Sequence, residues 1–374
     1  MNGIISHLNS VFVERNEAVE ALALAVLARK HVVLLGPPGT AKSTLIRTFA
    51  RLLGDLRVFQ WQLTRFSTPE ELFGPVDVSA LEQGQYRRVT DAKLPEAELA
   101  YVDEVFKANS AILNSLLAIM QERVFFNNGH PTPVPLVSLI GASNEVPEEE
   151  GLEALWDRFL LRVNVGYIAE QGAFRSLLAA PVPDPDTLTP LASHDDLIAA
   201  QTAVAQVSIP GLVMDRVVTL RDEANSRGIV ASDRRYVEAL DLIRAMAFLD
   251  SRAEAVEDDL LVFRHILWQD PAQAREVAQL VYGVANPLLA AVQEIIEDAF
   301  AAYRQASDGA KAAGGARAEA DALMEGIASL KEAKAKVAEI ERQAAGRAAA
   351  QAKVDEAAKK VTAWQAELLK TLGV

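Results

Sequence analysis

The chain has 374 residues, half of them apolar, with a formal net charge of −14 and no cysteine. Its length supports two or three domains with substantial cores, and the missing cysteine excludes disulfides and thiolate metal sites. The negative charge opposes nucleic-acid backbones and anionic membranes, because Arg87-Arg88, Arg234-Arg235 and Lys359-Lys360 are isolated doublets rather than a basic stripe.

From the start to about Tyr167, short apolar runs alternate with helical patterns, as an α/β domain with a parallel sheet requires. The first helical stretch contains "AVEALALAVLA" (18–28), too short to cross a bilayer and wrongly flanked for a signal peptide. The expectation is a soluble cytoplasmic protein without a membrane span. Candidate strands follow at 31–36, 56–63, 98–104, 135–143 and 160–165, most of them nearly continuous apolar runs of the kind covered on both faces.

The first strand runs into "GPPGTAKST", residues Gly36, Pro37, Pro38, Gly39, Thr40, Ala41, Lys42, Ser43 and Thr44. This is G-x-x-x-x-G-K-[ST] with alanine where glycine is usual before the lysine. An amphipathic helix follows, so the loop sits where unpaired N–H groups and a positive dipole end favour phosphate. Gly36 and Gly39 let the backbone approach phosphates, Lys42 reaches the β/γ-phosphates and Ser43 binds Mg²⁺. Ala41 is the smallest residue with a Cβ and favours a helix starting there, so the loop is expected to tolerate it. The alternative is an ordinary strand–turn–helix corner.

The third strand ends in Asp103 and Glu104. At the C-terminal end of a parallel strand they face the same crevice as the loop; Asp103 suits the Mg²⁺ shell and Glu104 suits orienting or deprotonating water. The strand in "SLIGASNEVPE" (138–148) ends in Asn144, a neutral donor and acceptor able to orient a water, or simply turn chemistry. In "LEALWDRFLLRV" (152–163), Arg158 is either an arginine donated across a subunit interface or the partner of Asp157 or Glu153 in a salt bridge.

A Pro-rich connector covers 180–190, and helical periodicity alone continues from about Asp195. Within it, Ser232 and Asp233 read as N-cap residues that place Arg234 and Arg235 in the first helical turn, where two cations oppose the dipole and suit an anionic partner. "GAKAAGGA" (309–316) reads as a flexible break. Beyond it, Leu323, Ile327, Leu330, Lys334, Val337 and Ile340, then Val354, Ala358, Val361, Trp364, Leu368 and Leu372, form a stripe on two helices meeting near Gly346.

In their order, "GPPGTAKS", "VDEVFKANSAILNSLLAIMQERVFFNNG", "GASNEVPE" and "LEALWDRFLLRV" resemble the MoxR family of AAA+ ATPases, especially its RavA branch, where alanine before the Walker A lysine is usual. The resemblance runs from about Val11 to Tyr282. It implies Lys42 and Ser43 as Walker A, Asp103 and Glu104 as Walker B, Asn144 as sensor 1, Arg158 as arginine finger and Arg234 as sensor 2, with Arg235 the second choice. Residues 66–89 resemble the helix-2 insertion; Thr68-Pro69-Glu70-Glu71 reads as a capping box and 79–89 as a hairpin turning at Gly84. Residues 123–137 read as a second hairpin, turning near Asn128-Gly129, and resemble the pre-sensor-1 insertion. Leu81 and Tyr86 are candidate substrate or partner contacts, or hairpin residues that merely pack on the domain.

The implied architecture is an AAA+ P-loop αβα core over 1–180, a connector at 181–194, an all-α lid over 195–285 and a C-terminal helical hairpin or coiled coil over 286–374. The implied activity is ATP hydrolysis with Mg²⁺ in a ring, commonly a hexamer. A partner with a von Willebrand factor A domain and a chaperone-like remodelling role go with it. The tail departs from RavA, which carries a β-rich module there. Two other readings compete: a nucleotide-gated assembly switch, and a nucleic-acid motor that the charge disfavours.

Overall fold

A computed structural model describes residues 1–147, 151–179, 184–313, 315–344 and 348–373. Helices α1 (Asn2–Val11) and α2 (Asn16–Leu27) precede strand β1 (Val32–Leu35), helix α3 (Lys42–Leu52), strand β2 (Val58–Gln62) and the short helices α4 (Pro69–Phe73) and α5 (Val78–Glu82). Next come β3 (Leu99–Asp103), α6 (Ser110–Glu122), the hairpin β4 (Val124–Asn127) and β5 (His130–Pro133), β6 (Ser138–Ser143), α7 (Glu153–Arg158), β7 (Leu161–Asn164) and α8 (Gln171–Ala179). Helices α9 (His194–Gln206), α10 (Gly211–Ser226), α11 (Asp233–Leu249), α12 (Ala274–Ala285), α13 (Pro287–Ala312), α14 (Ala316–Ala344) and α15 (Ala348–Leu372) complete the chain. Among the described residues no helix is long and apolar enough to cross a membrane.

Five strands form one parallel sheet in the order β2-β3-β6-β1-β7. All five lie inside the runs expected from sequence, each shorter by a residue or more. The central β1 and β6 are buried at every position, whereas the edge strand β2 alternates, because only an edge leaves one face to solvent. Helix α2, "NEAVEALALAVL", buries nine of its twelve residues, so it is a core helix rather than a surface one.

Three local expectations are corrected. Thr68 makes no side-chain cap on α4, although Pro69 begins that helix as expected; Glu71, its capping-box partner, accepts instead from Trp61 Nε1 at 3.2 Å. Residues 79–89 are not a two-stranded hairpin. Asp77 caps the short helix α5 through Ala80 N–H, Gly84 turns the chain at φ +74°, and a single antiparallel bridge joins Val76 to Arg88. Ser232 precedes α11 without a side-chain cap because its hydroxyl bonds Asp157. The hairpin at 124–133 is present, with Asn128 and Gly129 both at positive φ. Its Asn127 amide accepts from Arg88 N–H and donates to Arg88 C=O, so the two insertions are tied to each other.

The chain divides into two compact units, Met1–Met214 with Gly228–Ala274, and Asp215–Arg227 with Arg275–Val374. In the second unit the expected stripes on α14 and α15 are largely buried, and a third helix joins them. Leu289, Val292, Ile296, Ala299, Tyr303, Ala306 and Ala310 of α13 recur at three- and four-residue spacing and are buried. Phe300 and Tyr303 meet Trp364 at 5.3 and 6.0 Å between ring centres, and an added Cβ on Gly326 would stand 2.3 Å from Ala306 Cβ. The break foreseen at 309–316 is narrower, since α13 runs to Ala312. The turn near Gly346, Glu148 at the end of "GASNEVPE" and the connector's residues 180–183 lie outside the described residues.

In the first unit, two buried histidines are held neutral. Leu139 N–H donates to His31 Nδ1 and Arg264 Nε–H to His265 Nε2, so each ring must keep a lone pair. Burial first, then the nearby Arg123, pushes His31 well down; burial and Arg264 push His265 to about 3. Both folded values lie below the unfolded one, near 6.5, so the stability they contribute is present above that pH and is lost as pH falls through it. Lowering the pH from 7.5 to 5.5 is expected to reduce the urea-unfolding free energy by about 1 kcal/mol per histidine. The fall should be smaller in His31→Gln, and a pH-independent midpoint would contradict it.

Candidate nucleotide site

Strand polarity assembles the site. In the parallel register Leu35 pairs with Ser143, and Asp103 with Ala142, so the loop after β1, the end of β3 and Asn144 after β6 emerge along one edge. At Gly36 the backbone lies so close to its neighbour that a Cβ would sit 2.0 Å from Val165 C=O, and Gly36 N–H donates to Ser143 C=O. Only glycine fits there.

Ala41 corrects its sequence reading. It does not begin the helix: it is the N-cap of α3, in the left-handed region at φ +64°, ψ +20°. An L-residue there costs roughly 1–2 kcal/mol, which is why glycine is usual at this step of the loop. The loop is held from outside by Arg15, whose Nε donates to Thr40 C=O at 3.1 Å and whose Nη2 donates to Gly166 C=O at 2.9 Å. Thr40 Oγ1 donates to Pro37 C=O, and Tyr167 reaches Pro38 C=O at 3.4 Å. Sequence reading missed Arg15; nothing in its context distinguishes it from any arginine before a helix.

Lys42 Nζ donates to the carbonyls of Gly36 and Pro37 and, at 3.4 Å, to Asn144 Oδ1. Burial lowers its pKa, while Asp103 and Glu104 oppose the shift. The same Asn144 donates through Nδ2 to Glu104 Oε1 at 2.7 Å, and Lys107 Nζ holds Glu104 Oε2 at 3.2 Å. Asn144 therefore uses its acceptor on the lysine and its donor on the carboxylate, the two functions of a neutral side-chain amide. Glu104 itself stands at φ +52°. Asp103 Oδ1 accepts from Glu104 N–H at 3.0 Å. Tyr101, also missed from sequence, donates to Ser43 Oγ at 2.8 Å; burial raises its phenol pKa, so it stays protonated.

No cluster of three or more acidic, histidine or cysteine ligands occurs among the described residues. A Mg²⁺ bound with a nucleotide needs none, since it takes one or two protein oxygens and fills its shell with phosphate and water. The hard oxygens of Ser43 and Asp103 fit that demand.

The arginines are elsewhere. Arg158 ends α7, three residues before β7, and Val32 pairs with Leu161 at the start of β1. It therefore lies at the N-terminal edge of the sheet, with the length of β1, about 13 Å, between that edge and the phosphate loop. Arg158 donates to Ala154 C=O and to Gln121 Oε1, forms no ion pair with Asp157 or Glu153, and has a buried Nε without a partner. Arg234 stands at the same edge, in a cleft of about 690 Å³ lined by Lys30, Gln121, Arg123, Glu238 and Asp241 among others. It is paired with Glu238 at 2.6 Å, and its charge lowers the pKa of Arg158 after burial does. Arg234 is thus not beside Lys42 in its own chain. Arg235, 1% exposed, is spent on the carbonyls of Asp157, Phe159, Leu160 and Ile266 and anchors α11 to that edge.

Residues 1–188 match the family model described as the MoxR domain in MoxR–vWA–β-propeller ternary systems. The chain belongs to the MoxR family of AAA+ ATPases. An AAA lid model matches 212–281 of the same MoxR chain. An uncharacterised protein of Methanocaldococcus jannaschii is 38% identical over 285 residues, 76% of this chain and 75% of its own. The chaperone MoxR1 of Mycobacterium tuberculosis is 26% identical over 70% of this chain and 74% of its own. A Cytophaga hutchinsonii crystal structure, solved as a candidate ATPase, shares the fold with a TM-score of 0.59 at 19% identity, covering 75% of this chain and 92% of that one.

The left-handed Ala41 gives a direct expectation. Ala41→Gly should raise the unfolding free energy by about 0.5–1 kcal/mol, the strain relieved less the extra entropy of an unfolded glycine. A denaturant titration that showed a loss of stability would contradict the assignment of strain.

Proposed function

We propose that this MoxR-family chain binds and hydrolyses ATP with Mg²⁺ in a homo-oligomeric ring, each active site being completed by the neighbouring subunit. The observation that carries the reading is the separation within one chain: Lys42, Asp103, Glu104 and Asn144 share one edge of the sheet, while Arg158 and Arg234 share the other. A subunit stacked head to tail on the next brings the two edges together, and such heterologous contacts close into a ring when the rotation permits. Six subunits, common in AAA+ proteins, is the proposed number.

In this reading the loop N–H groups and Lys42 bind the β- and γ-phosphates. Ser43 and Asp103 hold the metal, which when bound neutralises charge on the phosphate oxygens. Glu104 orients a water whose oxygen forms the new bond to the γ-phosphorus as the bond to the β–γ bridging oxygen breaks; the water's proton passes to Glu104. Asn144 touches both Glu104 and Lys42, so it links the water-handling group to the phosphate-binding one. Arg158 of the neighbour stabilises charge on the transferred group, and Arg234, lying beside it, acts in trans as well. Gly36, Pro37, Pro38, Gly39, Thr40, Ala41 and Thr44 form the rest of the cradle.

The proposed role is chaperone-like remodelling in the cytoplasm, with a von Willebrand factor A domain partner. The matched family description, which names MoxR–vWA–β-propeller systems, supports that partner, and the name of the M. tuberculosis relative supports the chaperone role. The lid is proposed at 195–285, around the matched 212–281.

ATP turnover per subunit, measured against protein concentration in Mg²⁺, tests the reading. Specific activity should rise with concentration, and Arg158→Ala should stay at least roughly 10³-fold lower throughout. Turnover equal to wild type in that variant would overturn the shared site.

A further inference from the structure

The two residues proposed to hold the metal come from different elements, Ser43 from the start of α3 and Asp103 from the end of β3. Tyr101 ties the two elements together. It precedes Asp103 by two residues on β3, so the two-residue period of a strand sends both side chains to the same face. Only 2% of it is exposed. Its hydroxyl donates to Ser43 Oγ at 2.8 Å, and burial together with the charge of Asp103 keeps the phenol protonated. An apolar residue would fill this strand position equally well, since its neighbours Leu99, Ala100 and Val102 are all buried hydrophobics.

A serine hydroxyl has one proton and two lone pairs, and it rotates freely unless a partner fixes it. The donated Tyr101 proton engages one lone pair and stops that rotation. The other lone pair is left for a cation. The same bond fixes the serine oxygen relative to the strand that ends in Asp103, before any cation binds. Preorganised oxygens suit Mg²⁺, which demands near-ideal geometry, and outer partners that orient ligands tune metal affinity.

We propose that Tyr101 is a positioning residue for the divalent cation: its hydroxyl holds Ser43 Oγ, against the strand that ends in Asp103, in the orientation that grips Mg²⁺ beside the nucleotide. The inference rests on the proposed ATP function. Tyr101→Phe keeps the ring and removes only the oxygen. Affinity for a fluorescent, non-hydrolysable ATP analogue is measured on the full chain in EDTA and again in saturating Mg²⁺. The gain in affinity due to Mg²⁺ should fall roughly 3- to 10-fold in the variant, the range one hydrogen bond supports. Metal-free affinity and the thermal midpoint should match wild type. An unchanged Mg²⁺ gain would make Tyr101 a core residue only, and an equal loss with and without the metal would assign it to the nucleotide instead; both overturn the proposal. If wild-type protein binds no analogue in either buffer, the ATP reading itself fails, an outcome distinct from the other two.

Discussion

Parallel strands all end at the same edge, and the layout of this molecule depends on that constraint. Every loop that follows a strand emerges beside the phosphate loop, so Asp103, Glu104 and Asn144 reach Lys42 without any long excursion of the chain. Every residue that precedes a strand is carried to the opposite edge, and Arg158 is one of these. Arg235 then fixes the N-terminus of α11 at that edge through four backbone carbonyls, which carries Arg234 there too. Removing water from this guanidinium is costly, and its pKa is pushed down to about 10 by burial, with Asp157 opposing. The carbonyl partners and the Asp157 contact at 3.7 Å offset that cost.

The phosphate-loop edge is itself built under strain. Ala41 and Glu104, neither of them glycine, both adopt left-handed backbone, and such residues persist only where their surroundings over-determine them. For Ala41 the surroundings are Arg15 and the carbonyls it ties together on the loop and on Gly166. For Glu104 they are the bonds of its carboxylate to Asn144 and Lys107. The second unit works differently. Its three long helices bury a narrow stripe with alanines at the close approaches, so it depends on periodic small-residue packing rather than on polar ties.

Much of this was legible in the sequence, for physical reasons. Strands buried on both faces must be apolar throughout, so the central β1 and β6 show as runs; a phosphate loop needs Gly36 for a close approach that no side chain permits. What stayed hidden depended on tertiary placement. Ala41 reads as a helix former, and only the backbone reveals that the helix starts one residue later. Tyr101 reads as one more strand hydrophobe, and its hydroxyl matters only because α3 brings Ser43 to it. Arg234 and Arg235 are adjacent and chemically identical; burial of one and exposure of the other to the cleft separates them. Thr68 and Ser232 have the right types to cap, yet other partners claim Glu71 and the Ser232 hydroxyl.

The central claim is that the two edges of the sheet, on different subunits, make one active site. Mixing two inactive variants tests it most directly: Lys42→Ala lacks the phosphate-binding group, and Arg158→Ala lacks the donated arginine. In mixed assemblies some sites pair the intact loop of an Arg158→Ala subunit with the intact arginine of a Lys42→Ala neighbour. The account predicts that ATP turnover reappears on mixing, while each variant alone stays inactive. A mixture no more active than its components, after co-assembly has been verified, would contradict it.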